Sequence, residues 1–273
     1  MNTRAVVRSW LNPPSPQPTG PPLEASARRG VWIEITIVLL VTFGLSGLSA
    51  ILSLAESLAT PVALSQQTVA LNPSRATIGW IDLARQLLGV AKLLAWAALG
   101  LYLLHRAGIG TRAAGLTPAP KLRRDLAPGL GLAAAIGLPG LVFYLVAQAL
   151  SVNLTVQASA LDDHWWRVPV LVLSAIANSG AEEVLVVAYL ISRLRTLGWS
   201  ENSSLLASAL LRGSYHLYQG FGGGVGNLVM GLVFGRYWQR TGKLWPLVVA
   251  HAFIDMVAFI GYALLRDHVS WLP

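Results

Sequence analysis

The chain has 273 residues, of which 54% are hydrophobic and only 12% charged, with a net charge of +8 and no cysteine. A soluble domain carries about 25% charged residues, so a surface wet on all sides is excluded, and without cysteine so are disulfides, thiolate metal sites and a cysteine nucleophile. The excess positive charge does not describe a nucleic-acid partner, because the basic residues fall in short segments between apolar runs, as in the cytoplasmic loops of a protein whose partner is the lipid bilayer.

Residues 1–29 are proline-rich and polar ("NPPSPQPTGPP") and are expected to form a disordered cytoplasmic tail. Arg4 and Arg8 precede this segment rather than an apolar core, so it does not read as a secretory signal. Apolar runs follow at about 31–57, 78–104, 126–152, 168–192, 203–219, 223–238 and 244–265. Most reach the roughly 20 residues needed to cross ~30 Å of hydrocarbon. The pattern predicts an all-α, polytopic membrane protein with about seven transmembrane helices in a bundle around a buried polar site. Residues 30–155 would hold helices 1–3, residues 156–265 a functional core of helices 4–7, and residues 266–273 a short tail. "QGFGGG", between the fifth and sixth runs, reads as a tight turn dipping into the protein body.

Fourteen Lys and Arg fall in the tail, the 105–125 loop, the end of the fourth run and the segment between the sixth and seventh. Only Arg75, Arg167 and Arg266 fall on the other side. This asymmetry predicts a cytoplasmic amino terminus and an external carboxyl terminus, in a membrane of the bacterial plasma-membrane type. Trp10, Trp165, Trp166, Trp199, Trp238, Trp245 and Trp271 lie outside or at the ends of the spans, where interfacial anchoring is expected. No internal repeat is visible, which disfavours an inverted-repeat transporter.

Charged residues inside apolar helices cost about 2.5–3.5 kcal/mol each on insertion scales. Asp82 and Arg85, three residues apart in the second run beside Lys92, are expected to pair with each other. Glu34 is expected to snorkel or to meet the basic tail. The adjacent Glu182 and Glu183, with His216, His251 and Asp255, fall at similar depth on three different runs, ~10–20 Å below the inner surface at 1.5 Å per residue. His251 and Asp255, four residues apart, share a helix face. Two neighbouring carboxylates cannot both ionise easily in a low dielectric, so one is poised to take and return a proton. A histidine beside it can hold a water, and a second histidine with a carboxyl group can form or orient an oxyanion site. The set reads as equipment for hydrolysis. Imidazole and carboxylate are also ordinary zinc ligands, so Glu182, His216, His251 and Asp255 could hold a divalent metal, although the HExxH spacing is absent and no metal is assigned.

"EEVLVVAYL", "RGSYHLYQGFGGGVGNLVMGLVFG" and "LWPLVVAHAFID" together resemble the three blocks of the CAAX-protease and bacteriocin-processing (Abi) family of intramembrane proteases. That family includes the Ras-converting CAAX endopeptidase and lysostaphin-resistance-type proteins. The resemblance covers about residues 168–262. It implies an endopeptidase acting on a membrane-associated peptide or protein. Glu182 would be the catalytic glutamate acting with His216, Glu183 its supporting partner, and His251 with Asp255 the oxyanion group. Family members are described both as metalloproteases and as metal-independent glutamate proteases, so the resemblance leaves zinc open. Two positions depart from the family's pattern: Val187 stands where the first block has arginine, and Arg212 where the second has phenylalanine. Arg212 lies one turn from His216 and is expected either to supply from the fifth run the positive charge lost from the fourth or only to pair with a carboxylate that makes its burial tolerable. A non-catalytic scaffold or immunity-type member of the fold, or a proton-coupled transporter, are the alternative functions.

Overall fold

A computed structural model describes residues 23–265 of the chain. The first 22 residues of the expected tail, with Trp10, and the 266–273 tail, with Arg266 and Trp271, lie outside the described residues. Eight helices run through the described part: α1 Ala25–Val41, α2 Phe43–Ala59, α3 Gly79–Arg106, α4 Leu122–Ala149, α5 Arg167–Thr196, α6 Glu201–Ser214, α7 Phe221–Thr241 and α8 Trp245–Leu265. The helix α1 opens at Ala25, so residues 25–29 of the expected tail are helical.

Four helices, α3, α4, α5 and α8, are long and apolar enough to cross a membrane, and α1 with α2 makes a fifth if the bent pair is one span. The expected count of seven therefore becomes four or five by this measure. The first apolar run breaks at Thr42, with a 51° bend between α1 and α2. There the Thr42 hydroxyl donates to the Val38 carbonyl at 2.6 Å, and Gly44 follows two residues on. A side chain inserted into the helical ladder is an established cause of such a kink. At 14 residues, α6 is about 21 Å long, short of the ~30 Å hydrocarbon core.

At the centre stands α5. Of its apolar window 67% is buried, against 17% for α3 and 11% for α4, whose outer faces are left for lipid. Around α5 pack α3 on one side and α8 on another, with α4 behind α8. The antiparallel pair α6–α7 closes the bundle. These two helices approach closely because small residues line the seam: a Cβ on Gly213 would lie 2.9 Å from the Gly224 carbonyl, and one on Gly231 3.0 Å from Ala209 Cα. Packing of this kind joins membrane helices where no hydrophobic effect between them operates.

The expected turn at "QGFGGG" is shifted. The turn is the 3₁₀ segment Leu217–Gln219 with Gly220 at φ +108°, and the remaining glycines begin α7. They are needed there for close approach: a Cβ on Gly222 would stand 2.7 Å from Ala147 Cβ. A loop after α4 clamps this turn. Asn153, almost fully buried, accepts from Gly223 N at 2.8 Å, while Leu154 N donates to Gln219 O and Phe221 N to Val152 O. Beside the clamp lies a feature the all-α expectation lacked, a two-stranded parallel sheet of β1 Thr68–Ala70 and β2 Thr155–Gln157.

Several polar residues find partners other than those expected. Asp82 accepts from Arg75 N at 2.8 Å and Gln86 Nε2 at 3.1 Å rather than pairing with Arg85, whose guanidinium donates to the Arg75 carbonyl. Backbone donors of the preceding loop thus reach the buried carboxylate before the neighbouring side chain does. Glu34 meets Arg193 and Tyr189 of α5, at 2.8 Å and 3.0 Å. Trp166 and Trp238 are buried, the latter donating to the Ala114 carbonyl at 3.0 Å, so they pack the interior, whereas Trp165 is 86% exposed as an anchor would be.

Candidate active site

The two acids of "SGAEEVLVVAYL" occupy consecutive positions on α5, and consecutive helical side chains diverge by about 100°. They accordingly serve two different neighbours. Glu182 Oε2 accepts from the Tyr215 hydroxyl at 2.6 Å, at the end of α6. Glu183 Oε1 accepts from His251 Nδ1 of α8 at 2.8 Å and from Arg212 Nη2 of α6 at 2.6 Å. From Glu183 to Tyr189 the helix widens into π-type hydrogen bonding. The Ser208 hydroxyl of α6 takes the Val186 carbonyl of this segment at 2.6 Å. Such π-type interruptions of α-helices are frequent at functional sites.

Arg212 is fully buried, its guanidinium between the two acids, with Nη1 3.6 Å from Glu182 Oε2. Gly231 on α7 leaves room for its stem, since a Cβ there would lie 3.3 Å from Arg212 Cδ. The guanidinium also lies over the Phe234 ring at 5.8 Å. Two buried acids side by side would repel strongly in a low dielectric, and one buried cation against both removes that conflict. Val187, where the resembling block carries arginine, is wholly buried in the hydrophobic core. Glu183 Oε2 and Arg212 Nε and Nη1 are buried without a hydrogen-bond partner among the described residues.

His216 does not stand within a helix, as the 203–219 run predicted. It follows the end of α6 at Ser214 and precedes the 3₁₀ turn. The physical reason is local competition: His216 Nδ1 bonds the Arg212 carbonyl at 2.9 Å, and its backbone N–H turns to the Gly213 carbonyl. A carbonyl only accepts, so Nδ1 carries the hydrogen and Nε2 of the neutral ring is left with a lone pair. The ring packs on Tyr215 at 4.7 Å between centroids, beside the residue that holds Glu182.

On α8, His251 turns Nε2 toward Asp255 Oδ2 at 3.7 Å, and Asn178 Nδ2 of α5 donates to the same oxygen at 3.1 Å. The five expected residues thus fall into one connected group with Arg212. Glu182, Glu183, Arg212, Tyr215 and His251 are its buried members; Asn178, His216 and Asp255 are half-buried. Two residues of the group went unseen in the sequence. Tyr215 sits inside the second block next to His216, and Asn178 is an amide in an apolar run four residues before Glu182. Their signal is the one that exposed the acids, a polar group where a membrane helix can least accommodate it. Among the described residues no three His, Asp or Glu side chains come together in an arrangement that could hold a metal ion.

No curated protein and no solved structure gives a match to this chain. Over residues 164–257, which contain every member of this group, the chain matches the family model described as type II CAAX prenyl endopeptidase Rce1-like, a match consistent with the CAAX-protease family that its three blocks resemble.

Proposed function

We propose that this protein is an intramembrane endopeptidase that cuts a membrane-associated peptide or protein with a water activated by Glu182 and His216. The observation that carries the reading is the division of labour between the adjacent acids. Glu183 is tied to Arg212 and His251, whereas Glu182 is held on one oxygen by Tyr215 and keeps Oε1 for a proton. In this reading Glu182 Oε1 takes a proton from water and His216 Nε2 orients the same water by accepting its other hydrogen. The hydroxide formed attacks the peptide carbonyl carbon, the C–N bond breaks, and the proton on Glu182 passes to the leaving amine. Burial strengthens each of these interactions because no bulk water competes with them.

The reaction is read as metal-free. A divalent ion shared by Glu182, His216, His251 and Asp255 would have to sit beside the Arg212 guanidinium, whose positive charge opposes it. Arg212 is assigned the positive charge that the first block lacks at Val187. With α1 and α2 taken together as one span, the expected orientation, amino terminus in the cytoplasm, is retained, since the α6–α7 hairpin adds two crossings or none. The family's described substrates are prenylated CAAX proteins, and a membrane-bound substrate suits a site enclosed by spanning helices.

The test is cleavage of membrane-protein substrates, found by comparing peptide termini in membranes with and without the protein. The native chain should generate new termini and Glu182→Gln should not. Cleavage that survives Glu182→Gln overturns the assigned chemistry.

A further inference from the structure

Hydrolysis by an activated water builds negative charge on the substrate carbonyl oxygen, and the site must aim a hydrogen-bond donor at it. The group described above is short of free donors on its accessible side. Ionised Asp255 only accepts. The Tyr215 hydrogen is committed to Glu182, and His251 commits Nδ1–H to Glu183 while Nε2 faces Asp255. Arg212 is fully buried and turned to the acids.

Asn178 is the exception. It stands one turn before Glu182 on the same face of α5, about 6 Å along the axis, and is half-buried like His216 and Asp255. A primary amide carries two N–H donors, and the Asp255 contact uses one, at 3.1 Å. Because a carboxylate accepts and cannot donate, Asp255 selects the NH₂ rather than the oxygen of the amide and leaves its second N–H uncommitted. A water held at Glu182 and a carbonyl oxygen held at Asn178 would lie one helical turn apart, with the attacked carbon between them.

We infer that the second N–H of Asn178 is the donor that stabilises the developing oxyanion, and that Asp255 is a positioning residue acting through it. This inference rests on the endopeptidase reading. It moves the direct contact with the oxyanion from His251 and Asp255 of α8, where the sequence pattern places it, to Asn178 of α5.

The experiment is steady-state cleavage of a membrane peptide by the full chain reconstituted in liposomes, with thermal melting of each variant to establish folding. Asn178→Leu, nearly isosteric and without donors, should lower kcat by about 10²–10³-fold with KM changed less than about threefold. Asp255→Leu removes the group that orients Asn178, together with the carboxylate facing His251 Nε2, and should cost roughly tenfold. Asn178→Asp should be as inactive as Asn178→Leu, and pairing it with Asp255→Asn, which returns an amide to the pair, should recover at least about tenfold. Tyr218→Phe, which removes the one neighbouring hydroxyl on the His216 turn, should leave kcat within about threefold. A larger loss for Asp255→Leu than for Asn178→Leu makes Asp255 the acting group and overturns the inference, as does a Tyr218→Phe loss that exceeds that of Asn178→Leu. Cleavage abolished by Glu182→Gln yet spared by Asn178→Leu overturns this inference alone. Absence of cleavage by the native protein overturns the endopeptidase reading, and this inference with it.

Discussion

The hydroxyl of Tyr215 donates to Oε2 of Glu182 at 2.6 Å, joining the end of α6 to the centre of α5. The tyrosine ring is itself held between Phe43, 4.8 Å away, and His216. Tyr215→Phe keeps this packing and removes one hydrogen bond to a buried carboxylate, worth about 1.5–3 kcal/mol. The expected outcome is a thermal midpoint lowered in detergent and cleavage reduced roughly tenfold, because Glu182 loses the contact that fixes its free oxygen. Unchanged cleavage would remove Tyr215 from the site's machinery.

Arg212 makes the deepest ion pair of the chain's described part, with Glu183. Replacing one partner of a buried pair leaves an uncompensated charge and costs about 3–5 kcal/mol. Arg212→Phe is therefore expected to fold poorly, measured as loss of the monodisperse peak in detergent. Arg212→Phe with Val187→Arg returns a cation from α5 itself and should recover both folding and part of the activity. Failure of the double variant to exceed the single one sinks the idea that charge moved between the two helices.

Chelation gives a separate prediction. With Arg212 rather than an ion screening the acids, purified protein should cleave equally well before and after treatment with a strong zinc chelator. Activity lost to the chelator and restored by zinc would reverse the metal-free reading.

The α1–α5 junction should be structural only. Arg193 donates twice to Glu34, at 2.8 and 3.2 Å, well away from the Glu182 group. Arg193→Met should lower stability by about 1.5–3 kcal/mol, the range for hydrogen bonds to charged groups, while kcat stays within about threefold. Thermal melting and cleavage measured on the same preparation check both halves.

Glycines on α7 should divide by position. Gly222→Ala would bring a methyl to 2.7 Å from Ala147 Cβ and should cost about 1–3 kcal/mol by overpacking. Gly226→Ala meets only Phe143 at 3.7 Å, an ordinary contact, and should be neutral or slightly stabilising as helix propensity improves. Equal effects of the two would mean that the α4–α7 seam yields more readily than its packing indicates.

The amino-acid sequence by itself determined that the chain is helical and membrane-bound, because apolar runs of sufficient length have no other stable arrangement in lipid. It also singled out Glu182, Glu183, His216, His251 and Asp255, since polar groups at membrane depth are costly and stand out against an apolar background. Tertiary structure decided what periodicity does not encode. The break at Thr42 and the early end of α6 both depend on side chains that outcompete backbone donors for a carbonyl, a contest that hydropathy does not register. Asp82 turned to Arg75 N, and Glu34 to Arg193, because the nearest partner in space was not the nearest in sequence. The adjacent acids of α5 could be read only as a pair along the chain. Their separation into one held by Tyr215 and one neutralised by Arg212 and His251 requires three helices to meet, and contacts between helices are set by packing.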